Sequence, residues 1–528
     1  MRYSLIGVLG VVAMFAACSQ SASGSADDDS EIAAESSSSI KGKSSDSKSS
    51  GKNSSSSAEE SEECVGESGN PWDGTTAKNF ACGAGTKLSP YIILTAEQLA
   101  YLSFVVNSSD KDYKGKYFKL GADIKLNKGG VIDENGALVG DSTKLHKWTP
   151  IGNSSVAFDG SFDGDDHTVS GMFINTTSSH NGVFGQSSGT VENLTVENSW
   201  VYGGKFTAGV VGRSTGSVEN IENKASIESQ DPCVGGVIGE SYYNKYPVNS
   251  IIKNVVNKGA VTGKNNVGGV AGCVTYVTVN GAENLADIEG DSYVGGVFGG
   301  IGSYSKNDVK NLKNSGSVNG THFVGGVSGH CGGALYLSQN TSSYSCPKGI
   351  SAWYCGTMQT AHNEGNITGK RYVGGIVGEV CYGTISELSN NGDVSGEGGT
   401  GGIVSSMSYT KATAVYNTGN IYGINYVGGI VGFNEEGVTS SAYSIGKVDG
   451  DSLVGLMIGY NYNTTMADYY YLEQGKQEPF GLNNGGGVAT PKSADEMKSE
   501  EFAELLGDDF VYDSGLNDGY PVLNWEKE

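Results

Sequence analysis

Proline and arginine are scarce in this sequence of 528 residues. It holds 9 prolines, and its arginines are Arg2, Arg213 and Arg371, whereas Asp and Glu outnumber Lys and Arg by 58 to 34. The formal net charge is −24. Phosphate backbones and anionic lipid surfaces select basic patches, and arginine is the side chain best shaped to bind phosphate. The composition therefore argues against nucleic acid as a partner.

Catalytic and cofactor motifs are missing as well. The sequence has no HExxH helix, GxSxG elbow, P-loop or CxxC pair, and the calcium-binding nonapeptide GGxGxDxUx does not occur. Each of these patterns holds a metal, a nucleophile or a phosphate in a defined geometry. We therefore expect no cofactor and a non-catalytic protein.

Glycine, by contrast, is abundant. The chain has 82 glycines, without the third-residue period and the proline content of collagen. Much of this glycine belongs to a repeated motif close to V-G-G-[VI]-x-G. Its copies end at Gly185, Gly212, Gly239, Gly272, Gly299, Gly329, Gly378, Ser405, Gly432 and Gly459, with consecutive steps of 27, 27, 33, 27, 30, 49, 27, 27 and 27 residues. Ten copies indicate a scaffold, whereas a phosphate-binding glycine loop is needed only once.

Asparagine keeps the phase of this motif. It stands eleven residues before the first motif glycine at Asn257, Asn284, Asn314, Asn363, Asn390 and Asn417. One 27-residue unit cannot bury its own apolar residues, but stacked units share a continuous core. The sequence therefore predicts an all-β fold, a parallel β-helix or β-solenoid of about ten 27-residue coils. We expect the asparagines to form a structural ladder along it; turn-forming asparagines that face water are the alternative.

These columns resemble the repeats of the GLUG-motif family. Besides VGG[VI]xG, the resemblance includes the flanking segments SPYIILTAEQLAYLSFVVN and NDGYPVLNWE. Members are large bacterial surface and adhesin-like proteins, so the resemblance implies a β-solenoid with a binding role at a cell surface. The family carries no single established activity. The predicted boundaries are 64–180 for an N-terminal cap and the first coils, 181–460 for the repeats, and 461–528 for a C-terminal cap.

The N-terminus resembles that of bacterial lipoproteins. Residues 1–17 contain an apolar run from Leu5 to Phe15, too short for a permanent membrane span, and read as a signal peptide. The sequence FAAC that follows is similar to a lipobox, which implies lipidation of Cys18 and a membrane anchor; a plain cleaved signal peptide is the alternative. Ser19 fits outer-membrane sorting. Residues 18–63 are rich in Ser and Lys and are expected to be a disordered tether.

Short helices are expected to cap both ends of the solenoid, where edge strands would otherwise be exposed. Thr95 and Gln98 form a capping-box pattern before the apolar stretch LAYLSFVV. Ser493 and Glu496 repeat this pattern before MKSEEFAELL, and Gly507 is expected to end that helix.

Two features are candidates for a binding surface. The longest insertion, 331–362, includes Trp353 and Tyr354, side chains suited to contact with glycan or protein. A column of aromatic residues also precedes the VGG motif, at Phe206, Tyr293, Phe323, Tyr372 and Tyr426. Facing outward, the column would be a platform for sugar rings; facing inward, it would be core, which is the favoured interpretation.

The eight cysteines after Cys18 could pair in an oxidising compartment. Cys64 with Cys82 would close the start of the folded region. Cys346 with Cys355 would close the inserted loop, and Cys331 with Cys381 would join neighbouring coils. Cys233 and Cys273 fit no obvious pair.

The densest acidic cluster lies in FDGSFDGDDH and includes Asp159, Asp163 and Asp165. Its Asp-Gly pairs indicate tight turns between strands, and a calcium or catalytic site is the alternative. Taken together, the residues favour an exported, lipid-anchored binding protein of the bacterial outer membrane or cell surface that contacts a glycan or a surface protein. A β-helical polysaccharide-degrading enzyme and a purely structural envelope spacer are the rival hypotheses.

Overall fold

The computed structural model describes residues 64, 69–242, 250–302, 307–332, 346 and 354–527. The predicted signal peptide, the lipidation site Cys18, the tether up to residue 63, and Trp353 lie outside the described residues. Within this part of the chain, no helix is both long and apolar enough to cross a membrane.

The prediction of a parallel β-solenoid is confirmed. Strands from successive coils pair in parallel and form four sheets that run along the stack. Coils are more numerous than the ten motif copies, because the segments before and after the repeats also add strands to the stack. Equivalent residues face each other across coils, as in the pairs Asn257 with Asn284 and Val294 with Val324.

Sheet 1 has 16 strands and spans the whole stack. Its strands are Tyr91–Ile93, Tyr117–Leu120, Ile124–Lys125, Ser161–Asp163, Thr168–Ser170, Thr190–Glu197, Ser217–Asn223, Ser250–Asn257, Val277–Asn284, Asp308–Asn314, Gly356–Asn363, Gly383–Asn390, Lys411–Asn417, Val438–Ser444, Thr465–Leu472 and Ala489–Lys492. Sheet 2 has 11 strands, Phe184–Ser187, Val211–Ser214, Ile238–Tyr242, Ala271–Thr275, Phe298–Ile301, Ser328–Cys331, Val377–Cys381, Val404–Ser408, Val431–Glu435, Ile458–Tyr462 and Phe480–Asn484.

Sheets 3 and 4 are built from shorter strands. Sheet 3 consists of Phe173–Asn175, Trp200–Gly203, Ser226–Ser229, Val261–Thr262, Ile288–Glu289, Val318–Asn319, Ile367–Thr368, Val394–Ser395, Ile421–Tyr422 and Val448–Asp449. Sheet 4 consists of Val234–Gly235, Asn265–Gly268, Ser292–Gly295, His322–Gly325, Arg371–Gly374, Gly398–Gly401, Asn425–Gly428 and Ser452–Gly455.

The repeated glycines let neighbouring coils approach closely. A Cβ atom on Gly296 would collide with the carbonyl oxygen of Gly326 and with Oδ1 of Asn314. The aliphatic residues beside these glycines point inward and form one buried cluster that runs through the stack. Because each coil covers the apolar residues of its neighbours, the core exists only in the stacked array.

The N-terminal helix Ala96–Asn107 begins as predicted. The Thr95 side chain accepts a hydrogen bond from the backbone N–H of Gln98, and the Gln98 side chain accepts one from the backbone N–H of Thr95. These two hydrogen bonds form a capping box. Leu99 and Leu102 on this helix are fully buried in the same cluster as the first coils. Two 3₁₀ turns, Lys111–Tyr113 and Ser142–Lys144, lie between the leading strands.

The C-terminal segment packs on the side of the solenoid. The capping box of Ser493 is present, but the helix predicted up to Gly507 is broken into Ala494–Met497 and Glu500–Leu506. An antiparallel pair, Phe510–Val511 with Val522–Leu523, and the 3₁₀ turns Asn517–Gly519 and Asn524–Lys527 follow. Their apolar residues form a second cluster with three tyrosines of sheet 1, Tyr416, Tyr443 and Tyr470. This segment therefore covers the outer face of sheet 1.

Candidate binding surface

The residue before each VGG motif sits at a corner in a left-handed backbone conformation. Its φ angle is +58° at Tyr293, +55° at Phe323, +57° at Tyr372 and +54° at Tyr426. A left-handed residue interrupts the alternation of side chains along a strand, so the following Val points inward while the aromatic side chain lies outside the coil. Because of this left-handed corner, the alternation of side chains along a strand cannot predict whether the aromatic column faces the core or the solvent.

Three of these side chains form a stack, here called the aromatic ladder: Tyr293, Phe323 and Tyr372. The ring centroids of Tyr293 and Phe323 are 4.9 Å apart with an interplanar angle of 6°, and those of Phe323 and Tyr372 are 4.8 Å apart at 2°. All three rings are partly exposed and lie outside the apolar core cluster. The favoured core interpretation therefore gives way to an outward-facing column. Only Phe206, at the N-terminal end of the column, is buried.

A buried contact between a histidine and a glutamate lies behind the aromatic ladder. Nδ1 of His330 is 3.2 Å from Oε2 of Glu379, and both side chains are 2% exposed. The imidazole packs edgewise against Tyr293, with ring centroids 5.6 Å apart. Burial raises the pKa of the Glu379 carboxyl and raises the pKa of Tyr293 to about 12. Tyr293 therefore keeps its hydroxyl proton further into the alkaline range than an ordinary tyrosine does, and its hydroxyl group can donate a hydrogen bond.

A second aromatic stack lies beside the insertion. The rings of Tyr382 and Tyr409 are parallel with centroids 4.7 Å apart, and Tyr354 contacts Tyr382 at 5.4 Å in a tilted arrangement. Tyr354, one of the predicted binding residues, is 37% exposed. Sequence reasoning missed Tyr382 and Tyr409, although their spacing of one 27-residue period is a signal that could have found them.

The disulfides correct two of the predicted pairings. Cys64 pairs with Cys82 as predicted, but Cys331 pairs with Cys355 and Cys346 pairs with Cys381. Strand register gives the reason, since Cys331 lies opposite Val380, and its neighbour Cys381 therefore points to the other face of the sheet. Cys233 and Cys273, left without partners in the sequence, form a fourth disulfide.

One group of metal-ligand side chains occurs among the described residues. Ligand atoms of Cys346, Glu379 and Cys381 lie within 4.8 Å of one another. Because the two sulfur atoms are joined in a disulfide, they are not available as thiolate ligands.

The acidic cluster of the first coils holds turns and neighbouring strands together. Asp163 Oδ1 accepts hydrogen bonds from the backbone N–H of Asp165 and from Nδ2 of Asn193, both at 2.9 Å. Asp165 pairs with Lys119 at 2.8 Å, and Asp159 accepts from the backbone N–H of Gly115 at 3.0 Å. The three carboxylates have separate partners and do not converge on one point.

The asparagines form a continuous buried ladder. Each Nδ2 donates to Oδ1 of the next asparagine at 2.7–2.9 Å, along Asn223, Asn257, Asn284, Asn314, Asn363, Asn390 and Asn417. These residues are completely buried. A second, exposed ladder links Asn193, Asn220 and Asn254 on sheet 1. The buried ladder fixes the coil spacing, and this makes the aromatic ladder a rigid feature.

Comparisons with known proteins give limited matches, and no family model matches the chain. A 206-residue stretch, 38% of this chain, is 31% identical to 2% of the halomucin of Haloquadratum walsbyi. A 125-residue stretch, 23% of this chain, is 34% identical to 12% of a protein of Evansella cellulosilytica described provisionally as a Gly-rich membrane protein. The chain thus spans a small part of both relatives. A crystal structure of a Bacteroides ovatus protein, described provisionally as an immunoglobulin A1 protease, aligns over 84% of this chain and 95% of its own at 18% identity, with a TM-score of 0.28.

Proposed function

We propose that this protein is a non-catalytic, adhesin-like binding protein of the GLUG-repeat type that contacts a glycan or a protein at a cell surface. The observation that carries the proposal is the aromatic ladder, an outward-facing stack of parallel rings on a rigid solenoid. Aromatic rings supply a large contact area at a low entropic cost, and tyrosine adds a hydrogen-bonding group. Fixing them on paired strands lowers the cost of ordering the surface on binding.

The ladder is also a surface that the fold itself does not require. Elsewhere along the stack, the position before VGG is held by Cys233, Asn266, Gly399 or Leu453, all with the same left-handed backbone. The corner therefore tolerates small, polar and aliphatic side chains. Three stacked aromatic rings in consecutive coils support a role in contact with a ligand.

Anchoring at a bacterial surface is part of the same proposal. The lipobox-like sequence before Cys18 supports lipidation of that residue, and the tether 18–63 would hold the solenoid away from the membrane. Metabolic labelling with a palmitate analogue tests this step. We expect label in the wild-type protein and none in Cys18→Ala; label retained in the variant would rule out this anchor.

Arrays of glycans and extracellular matrix proteins test the binding proposal with the whole chain as the probe. We expect specific spots for the wild type and at least tenfold weaker binding for the double variant Phe323→Ala/Tyr372→Ala. Tyr462→Ala, which removes a tyrosine that is 43% exposed elsewhere on the solenoid, is the matched control and should bind normally. Blank arrays, or equal losses in both variants, would contradict the proposal and favour a structural spacer.

A further inference from the structure

The two ends of sheet 2 differ in how their outermost strands are covered. At the N-terminal end, the first strand is already bonded on its outer edge. The N–H of Gly185 donates to the carbonyl of Ile151 at 2.9 Å, and the N–H of Phe158 donates to the carbonyl of Gln186 at 2.9 Å. At the C-terminal end, the last strand is Phe480–Asn484, and no strand of the described chain pairs with its outer edge. Sheet 2 therefore keeps an open edge at the C-terminal end of the stack.

The last strands of sheets 1 and 3 are blunted. Nε2 of Gln477 donates to the carbonyl of Val448, in the last strand of sheet 3, at 2.9 Å. The last strand of sheet 1 contains Pro491, which has no N–H to offer to a further strand. Phe480–Asn484 contains neither proline nor a charged residue. This strand thus lacks the devices that usually prevent an edge strand from pairing with another chain.

An apolar stripe reaches the open edge on the outer face of sheet 2. In the strand register, Leu482 lies beside Tyr460, and Tyr460 lies beside Phe433. The rings of Phe433 and Tyr460 are stacked, with centroids 5.3 Å apart and an interplanar angle of 6°, and Tyr426 packs edgewise on both. Leu482 is 40% exposed and Tyr426 is 39% exposed. The stripe therefore ends at the edge strand with apolar surface still exposed to water.

The open edge carries no charge. Residues 479–491, PFGLNNGGGVATP, include no Asp, Glu, Lys or Arg, and the residues that flank them, Glu478 and Lys492, have opposite charges. On the strands of sheet 2, the nearest carboxylate is that of Glu435, two strands back from the edge. A chain of net charge −24 repels its own copy over much of its surface. The edge strands of two copies, however, can meet here without like charges in contact.

We propose that Phe480–Asn484 pairs antiparallel with the same strand of a second copy of this chain, with Leu482 at the centre of the pair. In such a two-fold dimer one surface serves both partners, and Leu482 lies opposite its own equivalent. With the two-fold axis perpendicular to the sheet, the outer faces of both copies lie on one side, so the two apolar stripes join into one. This inference goes beyond the proposed binding function and does not depend on it.

The covered N-terminal edge determines how the copies are arranged. A head-to-tail stack would need an open edge on the first strand of sheet 2, where Ile151 and Phe158 are already bonded. The copies therefore meet at their C-terminal ends, and the assembly closes at two chains. Each dimer presents two aromatic ladders, and the N-terminal ends of the two solenoids lie at its opposite extremities.

Sedimentation equilibrium tests the dimer, using the whole chain with Cys18→Ala so that no lipid can drive association. We expect the mass to rise with concentration from one chain to two and to stay there. Leu482→Lys places two positive charges at the centre of the pair and should weaken the dimer at least tenfold, with an unaltered thermal unfolding midpoint. Leu285→Lys, at a leucine that is 43% exposed in the middle of the solenoid, is the matched control and should dimerise normally. A wild-type chain that stays monomeric at its highest soluble concentration would overturn the proposal, and so would a mass that grows past two chains.

A cysteine at the centre of the pair tests the register in the same background. Directly opposed residues of an antiparallel pair have Cα atoms about 4.5–5.5 Å apart, within the span of a disulfide. Leu482→Cys should therefore give a product of doubled mass on a non-reducing gel after mild oxidation, and Leu285→Cys should give none. A dimer that Leu482→Cys fails to cross-link, or that Leu482→Lys leaves intact, would refute this pairing. Array binding that still depends on the aromatic ladder would in either case leave the proposed function standing.

Discussion

Nδ2 of Asn363 donates a hydrogen bond to Oδ1 of Asn390 at 2.7 Å in the completely buried interior of the solenoid. The same nitrogen donates to the carbonyl of Gly365 at 2.8 Å, and Oδ1 of Asn363 accepts from Asn314 at 2.7 Å. The Asn363 side chain thus forms hydrogen bonds to polar groups in three consecutive coils. It holds these coils together and also fixes the corner at Gly365.

Asn363→Ala should open the stack locally. It removes these hydrogen bonds and leaves polar atoms of Asn314 and Asn390 buried without their partner, at a cost of about 2–4 kcal/mol. Native-state hydrogen exchange of the strands on either side should show a free energy of opening reduced by that amount. Asn220→Ala, in the exposed ladder, is the control and should change it by less than about 0.5 kcal/mol. Equal effects of the two substitutions would contradict a special role for the buried ladder.

The disulfide connectivity can be checked directly. Non-reducing peptide mapping should recover the pairs Cys331 with Cys355 and Cys346 with Cys381, because the strand register places Cys331 and Cys381 on opposite faces. A peptide joining Cys346 to Cys355 would show that the register argument is wrong.

Removing the Cys233–Cys273 bond, which links residues 40 apart, should destabilise the fold by at most about 4 kcal/mol in the chain-entropy model.

The sequence period was sufficient to predict the stack but not the direction of every side chain. A motif that returns every 27 residues determines which residues are equivalent, so the parallel fold and the columns follow from it. The outward direction of the Tyr293 side chain depends on the left-handed φ angle of this residue. Residues other than glycine adopt such an angle uncommonly, and the motif contains no signal for it. The docking of the C-terminal segment depends on contacts such as that between Tyr416 and Glu526, 110 residues apart, which have no local signature.

His330→Leu should be destabilising. It leaves the Glu379 carboxyl buried beneath the aromatic ladder without its partner, and an unpaired buried polar group costs about 1–3 kcal/mol. The double variant His330→Leu/Glu379→Leu removes both polar groups and should recover most of that loss. Thermal unfolding of the three proteins measures the effect. A double variant as unstable as the single one would show that packing, and not the unpaired carboxyl group, determines the cost.

Hydrogen bonds around the Glu526 carboxylate, in a cluster that contains ionisable side chains, hold the C-terminal segment to the solenoid. Glu526 accepts hydrogen bonds from Ser389 at 2.6 Å and from the hydroxyl of Tyr416 at 2.9 Å, and it lies 3.4 Å from Nδ1 of His362. Burial opposes a charge on His362, but hydrogen bonds to Glu364 and Glu526 outweigh it and raise the pKa of the imidazole. The hydrogen bond from His362 in turn lowers the pKa of Glu364 to about 2.

The C-terminal segment should therefore dock less tightly as the pH rises from 6 to 9. The pKa of His362 is higher in the folded protein than its value of about 6.5 in the unfolded chain. Protonation of His362 therefore stabilises the folded state in full below about pH 6.5, and this stabilisation is lost as the pH rises through the folded pKa. Hydrogen exchange of residues 494–527, corrected for intrinsic rates, should show lower protection at pH 9 than at pH 6. Because Glu364 has a lowered pKa, its contribution is present above about 4.5 and is lost as the pH falls towards 2. His362→Gln keeps a neutral hydrogen-bonding side chain and should abolish the alkaline change. If the variant still loses protection between pH 6 and 9, another group controls the docking.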